Sequence, residues 1–255
     1  MNTAAARRWP VLVLLLSAAL GLAGLSVAPV QAADDATLYV VQGLPGRTVD
    51  VAVDGDPVAE GVRTAVVTKG FDVSAGSRTV TFSDDGEVLL ERTLKVSAGS
   101  SWDVVLHLPA DEDADPTVTV FRNDLSAVPR GKASLTVAHT ARVGEADVRV
   151  NDEVLFADIE NGESLNLVVP VATYQVAIVP AGKSSPVVLG PVDLTVKGGA
   201  LNRVYAIGDP SKKTMNVAVH VIETGSTGSA APDRVDTGTG GQAERLLRPE
   251  TALWS

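Results

Sequence analysis

Cysteine is absent from this 255-residue chain, which excludes disulfides, thiolate catalysis and cysteine-bound iron–sulfur clusters. Aromatic residues make up only 4% of the sequence. Lys and Arg total 21 against 31 Asp and Glu, so the formal net charge is −10. Because phosphate binding needs clustered cationic side chains and no such cluster appears, nucleic acid is excluded as a partner. The fold must therefore be held together by hydrophobic packing.

Long apolar runs are also rare, and the longest stands at the start, over residues 11–25. Arg7 and Arg8 precede this run, and small residues follow it up to Ala32 and Ala33. This pattern is typical of a secretory signal peptide. We predict a signal peptide over residues 1–32, cleavage between Ala32 and Ala33, and a secreted or cell-wall-associated protein with no membrane span in the mature chain. The alternative is an uncleaved anchor, because the run is nearly long enough to cross a bilayer.

The rest of the sequence repeats itself. Residues 38–41 resemble residues 135–138, and residues 49–54 resemble residues 146–151, about 97 positions later. A period of this length is too long for a solenoid unit and fits a domain that buries its own core. We predict two tandem domains, residues 33–130 and 131–224. A flexible tail rich in Gly, Thr and Ser is expected over residues 225–255.

Within each repeat, short runs alternate between apolar and polar residues, and turn residues separate them. This pattern is typical of antiparallel sheets with one solvated face, and no helical periodicity competes with it. Two segments illustrate the predicted inward faces: Val88, Leu90, Leu94 and Val96, then Trp102, Val104, Leu106 and Leu108, the latter opposite Asp103 and His107. So many strands cannot bury one face in a single open sheet. We predict an all-β fold of two tandem immunoglobulin-like or transthyretin-like β-sandwich domains.

Two motifs carry a family resemblance: Val-Asp-Val-Ala-Val-Asp-Gly, within residues 49–58, and Ala-Gly-Ser-Arg, within residues 73–82. They resemble the domain of unknown function 4397, whose pattern joins a strand ending in a His-Ala-Ser-Pro-type loop to Val-Asp-Val-Tyr-Val-Asp-Gly and Ala-Gly-Thr-Tyr. A fainter version in the second repeat extends the resemblance over most of residues 36–222. Gln42 replaces the motif His, and Asn151 and Asp152 replace its Asp-Gly. The resemblance implies a bacterial cell-envelope protein of tandem β-sandwiches, without an activity to carry over.

The titratable residues form no motif typical of catalysis. His107, His139 and His220 are not duplicated between the repeats, and neither a Ser nor a carboxylate stands at a diagnostic spacing. Strand phase predicts that His107 and His220 face solvent and that His139 faces the core. Asp50 and Asp147 recur in register, and we interpret them as side chains that bond nearby backbone rather than as an acid–base pair.

Residues 111–116 place carboxylates at alternate positions, like the first half of a calcium loop. Pro116 and Arg122 stand where such a loop needs Gly and Glu, so we interpret the segment as a solvated turn. We therefore predict no catalytic residue, no cofactor and no metal ligand. The sparse aromatic residues, Trp102 among them, are assigned to the sheets, and carbohydrate binding stays open as an alternative.

These observations favour a non-enzymatic binding or adhesion module for an unknown envelope or extracellular protein or glycan. Its candidate contact surfaces are the loops at residues 43–47, 108–116 and 143–145, because rigid sandwiches present loops at their ends. A structural spacer in the cell envelope is the alternative. A cell-wall polymer hydrolase is a third, but it would need a nucleophile or a cluster of perturbed carboxylates that the sequence does not display.

Overall fold

The computed structural model describes residues 35–228, which contain strands and turns but no helix. The predicted all-β fold is confirmed. The predicted signal peptide, with its boundary at Ala32 and Ala33, lies outside the described residues, as does the predicted tail from residue 229 onward. Nothing in residues 35–228 forms a helix of the length and apolarity that crossing a membrane requires.

The first half of the described chain forms two sheets of four strands. Inner sheet 1 has the order β4-β1-β7-β8, and outer sheet 1 has the order β3-β2-β5-β6. The strands are β1 (Ala36–Gln42), β2 (Thr48–Val53), β3 (Asp56–Arg63), β4 (Phe71–Val73), β5 (Gly76–Asp84), β6 (Glu87–Val96), β7 (Ser101–His107) and β8 (Thr117–Arg122).

The second half has the same architecture. Inner sheet 2 has the order β13-β10-β16-β17, and outer sheet 2 has the order β12-β11-β14-β15. The remaining strands are β9 (Val128–Pro129), β10 (Lys132–Ala141), β11 (Ala146–Val150), β12 (Glu153–Ile159), β13 (Ser164–Pro170), β14 (Thr173–Pro180), β15 (Leu189–Thr195), β16 (Ala200–Gly208), β17 (Asn216–Glu223) and β18 (Ser226–Thr227).

One strand pair in each inner sheet is parallel. Strand β1 pairs with β7 in parallel, β10 pairs with β16 in the same way, and the other pairs of these sheets are antiparallel. Parallel neighbours need a long crossover between them. The outer sheet is that crossover in each half, because its strands lie between the two parallel strands in the sequence.

Three hydrophobic cores separate the four sheets into layers. The first core fills the space between inner and outer sheet 1, and the second fills the space between inner and outer sheet 2. The third core packs the two inner sheets face to face. Its buried members are Val41, Val105, Phe121, Ala138, Tyr205, Ile207 and Ala218. The inner sheets are therefore covered on both faces, where the sequence predicted one solvated face. By their contacts the described residues belong to a single compact unit.

The predicted inward face of β6 is correct at one end of the strand and wrong at the other. Leu94 and Val96 are buried, but Val88 is 61% exposed. A register shift in the β5–β6 pairing lies between Phe82, which faces Leu90, and Ser83, which faces Val88. Since an extra residue in one strand reverses the alternation beyond it, Val88 points outward.

Both ends of the described chain lie where the inner strands begin. The backbone N–H of Gly99, just before β7, donates to the carbonyl of Asp35 at 3.1 Å. The N–H of Gly225 donates to the carbonyl of Gly199, just before β16, at 2.9 Å. Strand β18 then pairs with β9 in the segment that joins the two halves. Regular structure thus continues to the third residue of the predicted tail, Thr227.

Burial of both faces of β7 predicts a large difference between two Val-to-Asp changes. Val105→Asp would place an unpaired carboxylate in the third core, and we expect it to cost more than about 4 kcal/mol of unfolding free energy or to prevent folding. Val88→Asp, on the exposed side of the bulge, should cost about 1 kcal/mol or less. Urea unfolding measures both. Similar costs for the two variants would contradict the packing of one inner sheet on the other.

Candidate functional site

Strands β1, β7, β10 and β16 end on the same side of the molecule, opposite the first and last described residues. The N–H of Gly43, after β1, donates to the carbonyl of Leu106 at 2.7 Å. A Cβ on Gly43 would lie 2.7 Å from that oxygen, so the close approach requires glycine. The N–H of Arg142, after β10, donates to the carbonyl of Gly208 at 2.7 Å. Loops from both halves are therefore gathered at one end.

Side chains of the second half hold the acidic loop of the first half. The Arg142 guanidinium donates to the carbonyls of Pro109, Glu112 and Ala114 at 3.3, 3.0 and 3.1 Å. Asn161 Nδ2 donates to the carbonyl of Leu108 at 3.1 Å. Residues 111–116, interpreted from the sequence as a solvated turn, are thus anchored across the interface. Sequence reasoning missed Arg142, because an arginine next to a strand end carries no signal of its distant partners.

A groove, here called the loop groove, lies among these loops and has a volume of about 340 Å³. It joins two of the predicted contact loops, residues 43–47 and 108–116, to an unpredicted one over residues 209–214. Its lining residues are Leu44, Pro45, Arg47, Leu108, Pro116, Asp209, Lys212 and Thr214. The predicted loop at residues 143–145 does not line the groove. Its Val143 and Gly144 carbonyls instead accept from His139 Nε2, at 3.1 and 2.9 Å.

The loop groove combines an apolar lining with exposed cations at its rim. Arg47 Nη1 lies 2.8 Å from Asp84 Oδ2, and Lys212 Nζ lies 3.8 Å from Asp209 Oδ2. Asp209 is buried, and its Oδ1 accepts from the Ser211 hydroxyl at 2.6 Å, which fixes the start of the third loop. Both Arg47 and Lys212 are exposed, so an anionic ligand could reach them although each is paired with a carboxylate.

The prediction that His107 and His220 face solvent is wrong. His107 is 0% exposed and His220 is 8% exposed, because their faces of the inner sheets pack against each other. His107 Nδ1 donates to the carbonyl of Leu108 at 3.0 Å, and its Nε2 accepts from the Thr119 hydroxyl at 2.8 Å. Burial lowers the pKa of His107 to about 4 and also lowers the pKa of His139. His139 is buried, as predicted.

A buried polar cluster lies in the same interface, centred on the fully buried carboxylate of Asp103. Tyr205 donates its hydroxyl to Oδ2, and His220 Nδ1 lies 3.0 Å from both carboxylate oxygens. Asn123 Nδ2 donates to Oδ1 at 2.8 Å. Arg203 Nη1 lies 3.8 Å from Oδ2, and its Nη2 donates to the carbonyl of Arg122 at 3.0 Å. The alternation of polar and apolar residues placed Asp103 on the polar side of β7. It did not indicate that inner sheet 2 covers this side.

The electrostatics of the cluster keep Asp103 ionised. Burial alone would raise the pKa of Asp103, but the hydrogen bond and charge of His220, together with bonds from Asn123 and Tyr205, hold it below its usual range. Burial and the neighbouring carboxylate raise the pKa of Tyr205 well above its ordinary value, so its hydroxyl remains a donor. A carboxylate without solvent exposure is poorly placed to meet a substrate, and the arrangement is suited to joining the two inner sheets.

The side chains of Asp50 and Asp147 accept hydrogen bonds from backbone N–H groups, as predicted. Their partners lie on other segments of the chain and not next to them in the sequence. Asp50 Oδ1 accepts from the N–H of Gly61 at 2.8 Å. Asp147 accepts from the N–H groups of Asp158 and Gly182, at 3.0 and 2.9 Å. In both halves the partner strand has a register shift opposite this position. The two residues therefore satisfy backbone donors at bulges.

These features define an all-β protein of paired sandwiches that share a buried polar interface and carry a groove at one loop end. Residues 36–149 match the family described as Domain of unknown function (DUF4397). The match agrees with the family resemblance expected from the motifs of the first repeat. It runs from β1 into β11 and so covers the whole first half and the start of the second. A search of curated proteins finds no match.

Removal of one donor from Asp103 should destabilise the fold. Tyr205→Phe leaves a buried carboxylate short of a hydrogen bond, and we expect a loss of about 1–3 kcal/mol in unfolding free energy. The matched control is Tyr174→Phe, whose hydroxyl donates to the carbonyl of Pro170 at 2.8 Å in a more exposed place, and it should cost about 0.5 kcal/mol or less. If urea unfolding gave the same loss of unfolding free energy for both variants, the hydrogen bond from Tyr205 to Asp103 would contribute no more than an exposed one.

The depressed pKa of His107 predicts acid destabilisation. Between pH 6.5 and about 4 the unfolded His107 binds a proton that the folded residue resists. The unfolding free energy should therefore fall as the pH is lowered through this window, by up to about 1.4 kcal/mol per pH unit for one proton. His139, with its lowered pKa, adds to the slope in the same direction. His107→Gln should flatten the slope of unfolding free energy against pH. An unchanged slope in this variant would contradict the lowered pKa of His107 as a cause of the acid destabilisation.

Proposed function

We propose that the protein is a non-enzymatic binding or adhesion module, secreted or associated with the bacterial cell envelope, that presents the loop groove to a partner. The observation that supports this proposal best is the opposite placement of the groove and the chain ends. Asp35 and Gly225 bond to the turns before β7 and β16, whereas the groove lies where these strands end. The first and last described residues therefore lie on the side away from the groove.

The construction of the groove also supports a binding role. The loop at residues 108–116 is tied to the second half by Arg142 and Asn161, so this wall of the groove would lose little entropy on binding. Its lining offers Leu44 and Leu108 for apolar contact and Arg47 and Lys212 for an anionic group. We infer that the partner is an envelope or extracellular protein or glycan that presents an acidic group beside an apolar one.

A structural spacer receives less support from the same geometry. A spacer separates the points at which the chain enters and leaves it. Here both described ends lie on the side where the inner strands begin, and the two halves pack side by side through a third core.

Charge reversal at the rim of the loop groove tests the proposal. The purified full chain is immobilised, envelope components are passed over it, and each retained component is purified and its affinity measured by calorimetry. The double change Arg47→Glu with Lys212→Glu should weaken binding at least about tenfold, because cationic anchors of a binding site are often energetic hot spots. The matched control is Arg92→Glu with Lys95→Glu, two exposed cations on β6 outside the groove.

The control should bind like the unchanged protein, and all variants should unfold at similar urea concentrations. Retained components whose affinity is the same for both double variants would contradict the groove as the binding site. If no component binds the full chain at high concentration, the binding role itself fails.

A further inference from the structure

The second half contains an apolar cleft that plays no part in the proposed function. It opens between β15 and β17, the edge strands of outer and inner sheet 2, and has a volume of about 350 Å³. This volume falls within the ~300–1,000 Å³ range of small-molecule sites. The lining is almost wholly aliphatic: Val137, Val176, Ile178, Leu189, Val192, Leu194, Val204, Ala206, Met215, Val217 and Val219, with Asp193 and Asn216 as its polar members.

The first half carries larger side chains at two of the equivalent positions. Strand β7 directs Trp102 and Leu106 into or against the first core. The strand registers place Asn202 and Ala206 of β16 at the equivalent positions, since Leu106 faces Val118 and Ala206 faces Val217. The Asn202 amide turns away from the core, with Nδ2 donating to the carbonyl of Lys197 at 3.0 Å and Oδ1 accepting from its N–H at 2.7 Å. The exchange of Leu for Ala removes side-chain volume at a position that lines the cleft.

The cleft leaves apolar surface in contact with solvent. Val219 is 44% exposed and Val192 is 38% exposed, on the two strands that face each other across the opening. Each Å² of apolar surface removed from water contributes roughly 25 cal/mol, so an apolar occupant would be stabilised by these walls. A cavity lined by aliphatic side chains does not bind water well and accepts apolar guests.

The lining also indicates what kind of molecule fits. No cation lines the cleft, and its one charged side chain is the exposed Asp193. An anionic headgroup beside this carboxylate would be repelled, whereas a cationic or hydroxylated one would be attracted or tolerated. We propose that the cleft binds the aliphatic chain of an amphiphile whose headgroup is cationic or neutral, independently of the loop groove.

Monomeric decyl amphiphiles test this assignment. The purified full chain is titrated, below the micelle concentration of each probe, with decyltrimethylammonium, decyl maltoside and decanoate, and binding is followed by calorimetry. We expect saturable one-to-one binding of the first two probes and binding at least about tenfold weaker for decanoate. Absence of saturable binding of the first two, or tighter binding of decanoate, would overturn the proposal.

Two variants and one control locate the binding. Ala206→Leu restores the side chain that the first half carries and should abolish binding by filling the cleft. Val219→Phe obstructs the opening from an exposed position and serves if Ala206→Leu does not fold. The control is Val221→Phe, on the same face of β17 and 42% exposed but outside the cleft, which should bind like the unchanged protein.

Binding that survives both filling variants would overturn the proposal, as would equal loss in the control. The cleft could instead hold a second copy of the chain. A dimer that Val219→Phe dissociates, together with no amphiphile binding by the unchanged protein, would assign the cleft to self-association and would also overturn the proposal.

Discussion

The arrangement of the whole described chain depends on one buried carboxylate. Asp103 has no solvent exposure, and it is stabilised by donors from both halves: Asn123 from the first, Tyr205 and His220 from the second. An ion buried without partners costs several kcal/mol, so a shift of one inner sheet against the other that broke these bonds while Asp103 stayed buried would be unfavourable. Whereas hydrophobic packing tolerates small sliding, these directional bonds fix the register of one sheet against the other.

That register sets the positions of the loops. Strands β1, β7, β10 and β16 run in the same direction and end together, which brings Arg142 to the acidic loop and Asp209 to Leu44. The loop groove is therefore a product of the interface, since each half supplies only part of its lining. Likewise, His107 is buried because inner sheet 2 covers its face of β7, and the lowered pKa follows from that covering.

Alternation in the sequence was sufficient to predict strands, turns and a sandwich in each repeat, because a period of two reports which residues share a face. It does not report what lies on that face. Val88 was misplaced by a bulge that no residue type marks, and His107 and His220 were misplaced because polar residues on one side of a strand ordinarily indicate water. Strand β16, buried along its whole length, carries the signal of a doubly covered strand, but Arg203 within it weakened that signal. The long-range partners of Arg142 and Asp103 depend on how sheets stack, which a single sequence does not encode locally.

The two halves have the same strand order yet meet through unlike residues. By strand register, Asp103 in β7 and Arg203 in β16 occupy equivalent positions, and they face each other with Nη1 and Oδ2 3.8 Å apart. Two identical copies meeting in this way would bury like charges at that point, which is costly. Joining the copies in one chain allows each to carry the complement of the other, so an acid in the first half meets a base in the second. The interface thus explains why the repeats resemble each other in strand order and differ at positions where they touch. A second difference lies on the opposite face of the same strands, where Leu106 packs in the first core and Ala206 lines the cleft of the second half.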